Sequence, residues 1–256
     1  MDIKIIVATH KSFIMPADRM YMPVHVGRNL AENWQESELA GYIGDNTGDN
    51  ISSKNKNYCE LTALYWAWKN LNAEYIGLTH YRRHFRGSKG SDKWQSTLSN
   101  QKAEKLLKEY DVILPKQRNY FIESTYAQYI HAHHRQDLDK TLEIIKRDYP
   151  DYVHAWDKVM KSTKGHRFNM FIMKTDVFNI YMEWMFDILF KLEQVLDISH
   201  YSDYDKRVFG FVSERLLDVW ITANNINYTE LPVINMEKQN WPKKIYNFLK
   251  RKFVGK

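Results

Sequence analysis

The chain has 256 residues, 27% of them charged, a formal net charge of +6 and a single cysteine. That length buries a full core, and 17 Tyr, 12 Phe and 8 Trp spread along it exclude a disordered chain. The lone Cys59 excludes an internal disulfide and suits a reducing compartment, and no apolar run approaches the ~20 residues that span a bilayer.

Residues 3–8, IKIIVA, read as a first strand, which leaves no place for a signal peptide and points to the cytoplasm. Thr9, His10 and Lys11 follow at its carboxyl end. Residues 42–57 are polar and punctuated by Gly44 and Gly48, so they predict a surface loop. A helix is expected to start near Asn57, with Glu60 three residues later as a capping-box partner. Leu61, Leu64, Tyr65, Trp68 and Leu71 give it an apolar stripe, and Cys59 reads as its buried thiol. Residues 75–79, YIGLT, predict a buried strand that ends abruptly in His80, Tyr81, Arg82, Arg83 and His84. After a polar excursion at 86–100 come a helix near 101–110 and a strand at 111–114. This strand–helix–strand alternation is the pattern of a parallel sheet.

Residues 122–161 turn helical, with His131, His133 and His134 in an exposed turn. A strand at 168–173 returns to the sheet, two helices near 176–196 and 206–224 flank an acidic loop, and 228–231 forms a last strand. No repeat or low-complexity linker divides the chain. The expectation is one α/β domain over 1–240 with a helical insertion at about 122–165. Residues 241–256, WPKKIYNFLKRKFVGK, are basic with no acid, and Ile245, Phe248, Leu249 and Phe253 fall at helical spacing. Such a basic amphipathic helix lies on anionic lipid headgroups, or packs on the domain as a solvated tail. No nucleic-acid motif accompanies it, so nucleic acid is not an expected partner.

In open α/β sheets ligands bind beyond the carboxyl ends of the strands. His80, Arg82 and Arg83 at such an end suit a diphosphate, because guanidinium groups make forked, charge-assisted hydrogen bonds to phosphate. A solvated basic turn is the alternative. Thr9, His10 and Lys11 occupy the equivalent place after the first strand. Asp45 and Asn50 belong to a polar loop able to bond sugar hydroxyls, or simply to form turns. Asn169, following Gly165, can bond donor or acceptor hydroxyls. Glu214, near the first turn of a helix, can accept a proton in a cleft, although the helix dipole alone would explain an acid there. Arg215 contacts phosphate or pairs with a neighbouring carboxylate. A divalent cation would need an Asp-x-Asp at a strand end. That end carries His80-Tyr81-Arg82, and Asp203-Tyr204-Asp205 lies in a loop between helices. Cationic side chains can offset leaving-group charge instead. The three histidines lack cysteine partners for zinc. No metal or other cofactor is expected, with manganese left open.

Several segments carry a resemblance: VATHK (7–11), MPVHVG (22–27), DNTGDNISSKNKNYCELTALYWAWKN (45–70), YIGLTHYRRHF (75–85), FNMFIMK (168–174) and FGFVSERLLDVW (209–220). Together they resemble the bacterial capsular and exopolysaccharide biosynthesis proteins of the DUF4422 type, regarded as glycosyltransferases. Departures such as Thr79 and His84 around the HYRR core are small. The resemblance implies a GT-A-like (Rossmann-like) nucleotide-sugar-binding domain with a mostly parallel sheet, and for some members galactofuranosyl transfer from UDP-galactofuranose. On that footing Thr9, His10, Lys11 and Gly27 would receive the uridine side of the donor. His80, Arg82 and Arg83 would hold the diphosphate and stabilise it as it departs, with Tyr81, Asn169 and Arg215 also on the donor side. Asp45, Asn50, Asn57 and Glu60 would shape the sugar pocket. Glu214 would be the base of an inverting displacement. The acceptor would be a lipid-linked oligosaccharide, which places the basic tail on the inner face of the plasma membrane. Two rivals stand: a non-catalytic saccharide-binding module, and a metal-dependent nucleotidyl- or phosphotransferase.

Overall fold

Ile5 through Thr9 are all buried, so the first strand, β1 (Ile3–Thr9), has no solvent face and belongs in the middle of a sheet. The computed structural model describes residues 1–237. Along the chain follow β2 (Tyr21–His25), β3 (Ile43–Gly44), α1 (Asn55–Tyr58), α2 (Leu61–Asn70), β4 (Tyr75–His80) and β5 (Arg83–Phe85). Then come α3 (Asn100–Leu107), β6 (Val112–Pro115), β7 (Arg118–Asn119), α4 (Thr125–Ala132), α5 (Arg135–Asp148) and α6 (Val153–Lys161). The last elements are β8 (Lys164–Gly165), β9 (Phe171–Lys174), α7 (Thr175–Val195), α8 (Val208–Ala223), β10 (Tyr228–Leu231) and β11 (Val233–Asn235).

The main sheet runs β10-β6-β9-β4-β1-β2-β3, with β5 carrying on from β4 and pairing β11. The β1–β4 register joins Ile3 to Tyr75 and Ala8 to His80, so both strands deliver their carboxyl ends to one place. β1–β2, β1–β4, β2–β3 and β6–β10 are parallel, while β9 enters antiparallel between β4 and β6. The sheet is mostly parallel, as its sequence pattern predicts.

Alternation in β1 divides the core. Ile6 and Ala8 face the larger layer with Leu64, Tyr181 and Trp220, and Ile5 and Val7 face a smaller one with Tyr21, Phe85 and Ala103. α8 is buried over most of its surface, which explains its apolar composition. Ser99 and Ser124 open α3 and α4 by accepting from the N–H groups of Lys102 and Ala127.

Several expectations change. The helix placed near Asn57 is two helices, broken at Cys59, whose φ is +53°. Glu60 therefore opens α2 without capping anything, and its carboxylate is available elsewhere. The polar excursion after β5 is pinned by an Arg86–Thr97 bridge and by fully buried Leu98. In the histidine turn, His133 is not exposed: its side chain bonds Asp205 at 3.2 Å and stacks on Phe211 at 4.2 Å. Residues 241–256, the expected basic helix, lie outside the described residues. No described helix is long and apolar enough to cross a membrane.

Candidate active site

Beyond the ends of β1 and β4 open two adjoining cavities of about 310 and 250 Å³. Cys59, Glu60, His80, Arg82 and Arg207 line both. His10, Tyr81 and Lys56 complete the first; Arg83, Phe168, Phe211 and Glu214 belong to the second. Cations gather around two carboxylates, Glu60 and Glu214.

The cations are only partly balanced: Arg82 and Lys11 share one carboxylate, Glu237. Arg82 lies 3.6 Å from Glu237, and Arg83 lies 4.4 Å over the Phe168 ring with its Nε unpartnered. Burial lowers the pKa of Arg83, and the neighbouring Arg82 adds to the effect. Burial likewise lowers His10, with Arg82, Lys11 and Arg207 adding to it. His10 meets Tyr81 edge-on at 5.5 Å, and the Lys11 ammonium lies 5.2 Å over the same ring. A group of like charges in a concave site favours an anion that can answer all of them.

Phe168 organises the second cavity. Its N–H donates to Glu214 Oε1 at 3.0 Å, and its carbonyl accepts from His80 Nε2 at 2.6 Å. Phe168 and Asn169 both have left-handed backbone, with φ of +79° and +53°. The segment before them is anchored by His166, which bonds Asp218 at 2.5 Å and Glu230 at 3.0 Å. Burial opposes charge on His166, but the two carboxylates outweigh it and raise its pKa. Glu214 lies in the second turn of α8, past the first turn where the helix dipole acts most strongly. Its Oε2 accepts from Arg215 Nη1 at 2.9 Å. Each oxygen thus has one donor, which leaves lone pairs for a substrate hydroxyl.

Other predicted site residues sit elsewhere. Asp45 is fully buried and accepts from Gly27 N, Arg28 N, Ser52 Oγ and Thr62 Oγ1, so it cannot touch a sugar. Asn50 closes its own turn by bonding Ser52 N and the Gly48 carbonyl. Asn57 fastens the Lys206 carbonyl at 2.8 Å, and buried Thr9 bonds the Lys11 backbone. Gly27 adopts φ +68° behind Asn55, where a Cβ would lie 2.6 Å from the amide oxygen. Asn169, 2% exposed, donates to Glu60 Oε1 at 2.8 Å and accepts from Ser213. It positions Glu60 and does not face a ligand. Arg215, 3% exposed, bonds Glu214, Gln128 and the Phe211 carbonyl, so it supports the carboxylate and is not free for phosphate.

Arg207 is the main residue that the sequence reading passes over. It stands on the turn before α8 and donates to Cys59 Sγ at 3.1 Å. Burial opposes its charge, but Cys59 and Glu60 outweigh that and raise its pKa. Its placement directly ahead of the FGFVSERLL run was the available signal. Among the described residues no group of three or more His, Cys, Asp or Glu is arranged to hold a metal ion. A second Asp-x-Asp spacing, at Asp137 and Asp139, lies on α5, where Asp137 is buried against Tyr129 and Tyr201.

The mostly parallel sheet, with its cavity past the strand ends, is GT-A-like in architecture. The chain belongs to the family described as Domain of unknown function (DUF4422), which matches residues 4–225. A solved apo structure of WbbM, described as a bifunctional glycosyltransferase, superimposes with a TM-score of 0.85 at 31% identity. The match covers 93% of this chain and 46% of that one, so this chain spans about half of WbbM's length. No curated protein matches.

Proposed function

We propose that the protein is a glycosyltransferase that moves a hexosyl group, expected to be galactofuranose, from a UDP-sugar to a lipid-linked oligosaccharide. The observation that carries this reading is one cavity system holding Arg82, Arg83, His80 and Arg207 together with Glu60 and Glu214. The likeness to a glycosyltransferase structure over nearly the whole chain supports it. The cations bind the diphosphate and stabilise the charge that grows on it as the sugar departs. In an inverting displacement the acceptor oxygen bonds the anomeric carbon while the bond from that carbon to the phosphate oxygen breaks. Its electron pair leaves with UDP, and the acceptor proton passes to Glu214. Glu60, held by Asn169, bonds donor-sugar hydroxyls.

Calorimetric titration with UDP, with and without manganese and chelator, tests the donor half. Wild type should bind without metal, and Arg82→Ala should weaken binding roughly 10- to 100-fold, the worth of a charge-assisted hydrogen bond. Binding only with manganese would favour the metal-dependent nucleotidyl- or phosphotransferase. No UDP binding at all would favour a saccharide-binding module. Glu214→Gln should retain UDP affinity and lose transfer; near-normal turnover would remove Glu214 as the base.

A further inference from the structure

A third cavity, of about 160 Å³, adjoins the second and shares Phe168, Tyr204, Phe211 and Glu214 with it. It does not reach Arg82 or Arg83; Arg118, Gln128, Arg167 and Arg215 form its polar side instead, with Arg167 already paired to Asp218 and Arg215 to Glu214. We propose that this cavity is the acceptor subsite, holding the terminal neutral hexose of the acceptor glycan with one face against Tyr204.

The inference rests on the transferase reading and follows from Glu214 lining both spaces. The group that gives up its proton must reach that carboxylate from the side away from the diphosphate, because the anomeric carbon lies on the phosphate side. A hexose has a C–H face and a hydroxyl edge, and the cavity offers a counterpart to each. Tyr204 is 52% exposed, and Phe211 lies 5.2 Å from it. Arg118 is exposed, and Gln128 accepts from Arg215 through its carbonyl, which leaves its amide N–H groups as donors.

The platform is fixed by its neighbours in the cavity wall. His133 stacks on Tyr204 at 5.8 Å and on Phe211 at 4.2 Å, and it bonds Asp205. Asp205 in turn bonds Ser202, which ties down the loop. The Asp203-Tyr204-Asp205 sequence, with the spacing of a metal motif, thus presents its central tyrosine. The ring is held before any ligand arrives, and little ordering remains to oppose binding.

The test is saturation-transfer NMR with methyl glycosides of galactose, glucose, mannose and N-acetylglucosamine on the full chain, beside UDP calorimetry on the same samples. At least one glycoside should bind wild type. Tyr204→Ala should weaken it about tenfold, the upper range for an aromatic contact, and weaken UDP by less, since the ring also borders the second cavity beside Arg207. Arg118→Ala should weaken it less, and Arg82→Ala should lose UDP while keeping the glycoside. The proposal is overturned if no glycoside in the panel binds wild type, if Tyr204→Ala binds it normally, or if Tyr204→Ala loses UDP instead. Failure of wild type to bind UDP would refute the transferase reading separately, whatever the glycosides do.

Discussion

Replacing Asp45 with asparagine changes a single atom at a place that solvent does not reach. Oδ2 accepts from Gly27 N at 2.7 Å and from Thr62 Oγ1 at 2.5 Å; Oδ1 accepts from Arg28 N at 3.1 Å and Ser52 Oγ at 2.5 Å. An amide turns an N–H2 group towards one of these pairs. The hydroxyl of that pair can rotate to accept, but the backbone N–H cannot, and it is stranded. An unsatisfied buried donor costs about 1–3 kcal/mol, and the remaining bonds lose their charge assistance, so the total is about 3 kcal/mol. For a chain of this size that lowers Tm by about 10 °C. Thermal unfolding followed by circular dichroism reads the change, and UDP calorimetry below Tm should show affinity within about threefold of wild type. A Tm within about 2 °C of wild type together with lost UDP affinity would refute the reasoning, because Asp45 would then act on ligand and not on the fold.

Two buried histidines bound the pH range of stability. His84 is fully buried, and that burial pushes its pKa down to about 4. Stability should therefore fall as pH drops from about 6.5 towards 4, by about 3 kcal/mol in all, and His84→Phe should flatten that limb in urea titrations. The pKa of His166 is raised by Asp218 and Glu230, so its contribution is full below about 6.5 and fades as pH climbs through the folded value. An unchanged alkaline limb in His166→Gln would contradict that. Burial pushes the Cys59 thiol up to about 11, so iodoacetamide should modify it on the order of a hundredfold more slowly at neutral pH than a free cysteine. Mass spectrometry gives the rate, and a rate equal to that of free cysteine refutes the account. Asn169→Ala frees Glu60 and should reduce kcat about tenfold more than it changes UDP affinity, as expected when a positioning bond is lost. Equal effects on both would place Asn169 on the donor itself.

What the sequence displayed was local. The apolar runs of β1 and β4 and the stripe of α2 are written in successive residues, and their pairing puts His80 where a strand-end argument expects it. Loop 42–57 misled because its polar residues looked free. Asp45 is polar because it gathers backbone N–H groups from Gly27 and Arg28, and nothing in composition separates that from a sugar-binding carboxylate. β2 carries Pro23, which weakens its strand signal; β3 is too short to show any. Arg207 reaches the site only through a contact 148 residues away at Cys59. The carboxylates at 60 and 214 were both visible, but their places in a shared cavity depend on the tertiary path of residues 165–169.

Phe168 has a mechanical consequence. Its N–H fixes the position of the Glu214 carboxylate, its carbonyl fixes His80, and its ring underlies Arg83. One residue is thus the common fiducial for proton acceptor and phosphate clamp. The three groups stand on separate elements, α8, β4 and β5, so a shift of the 165–169 segment would disturb proton acceptor and phosphate clamp at once.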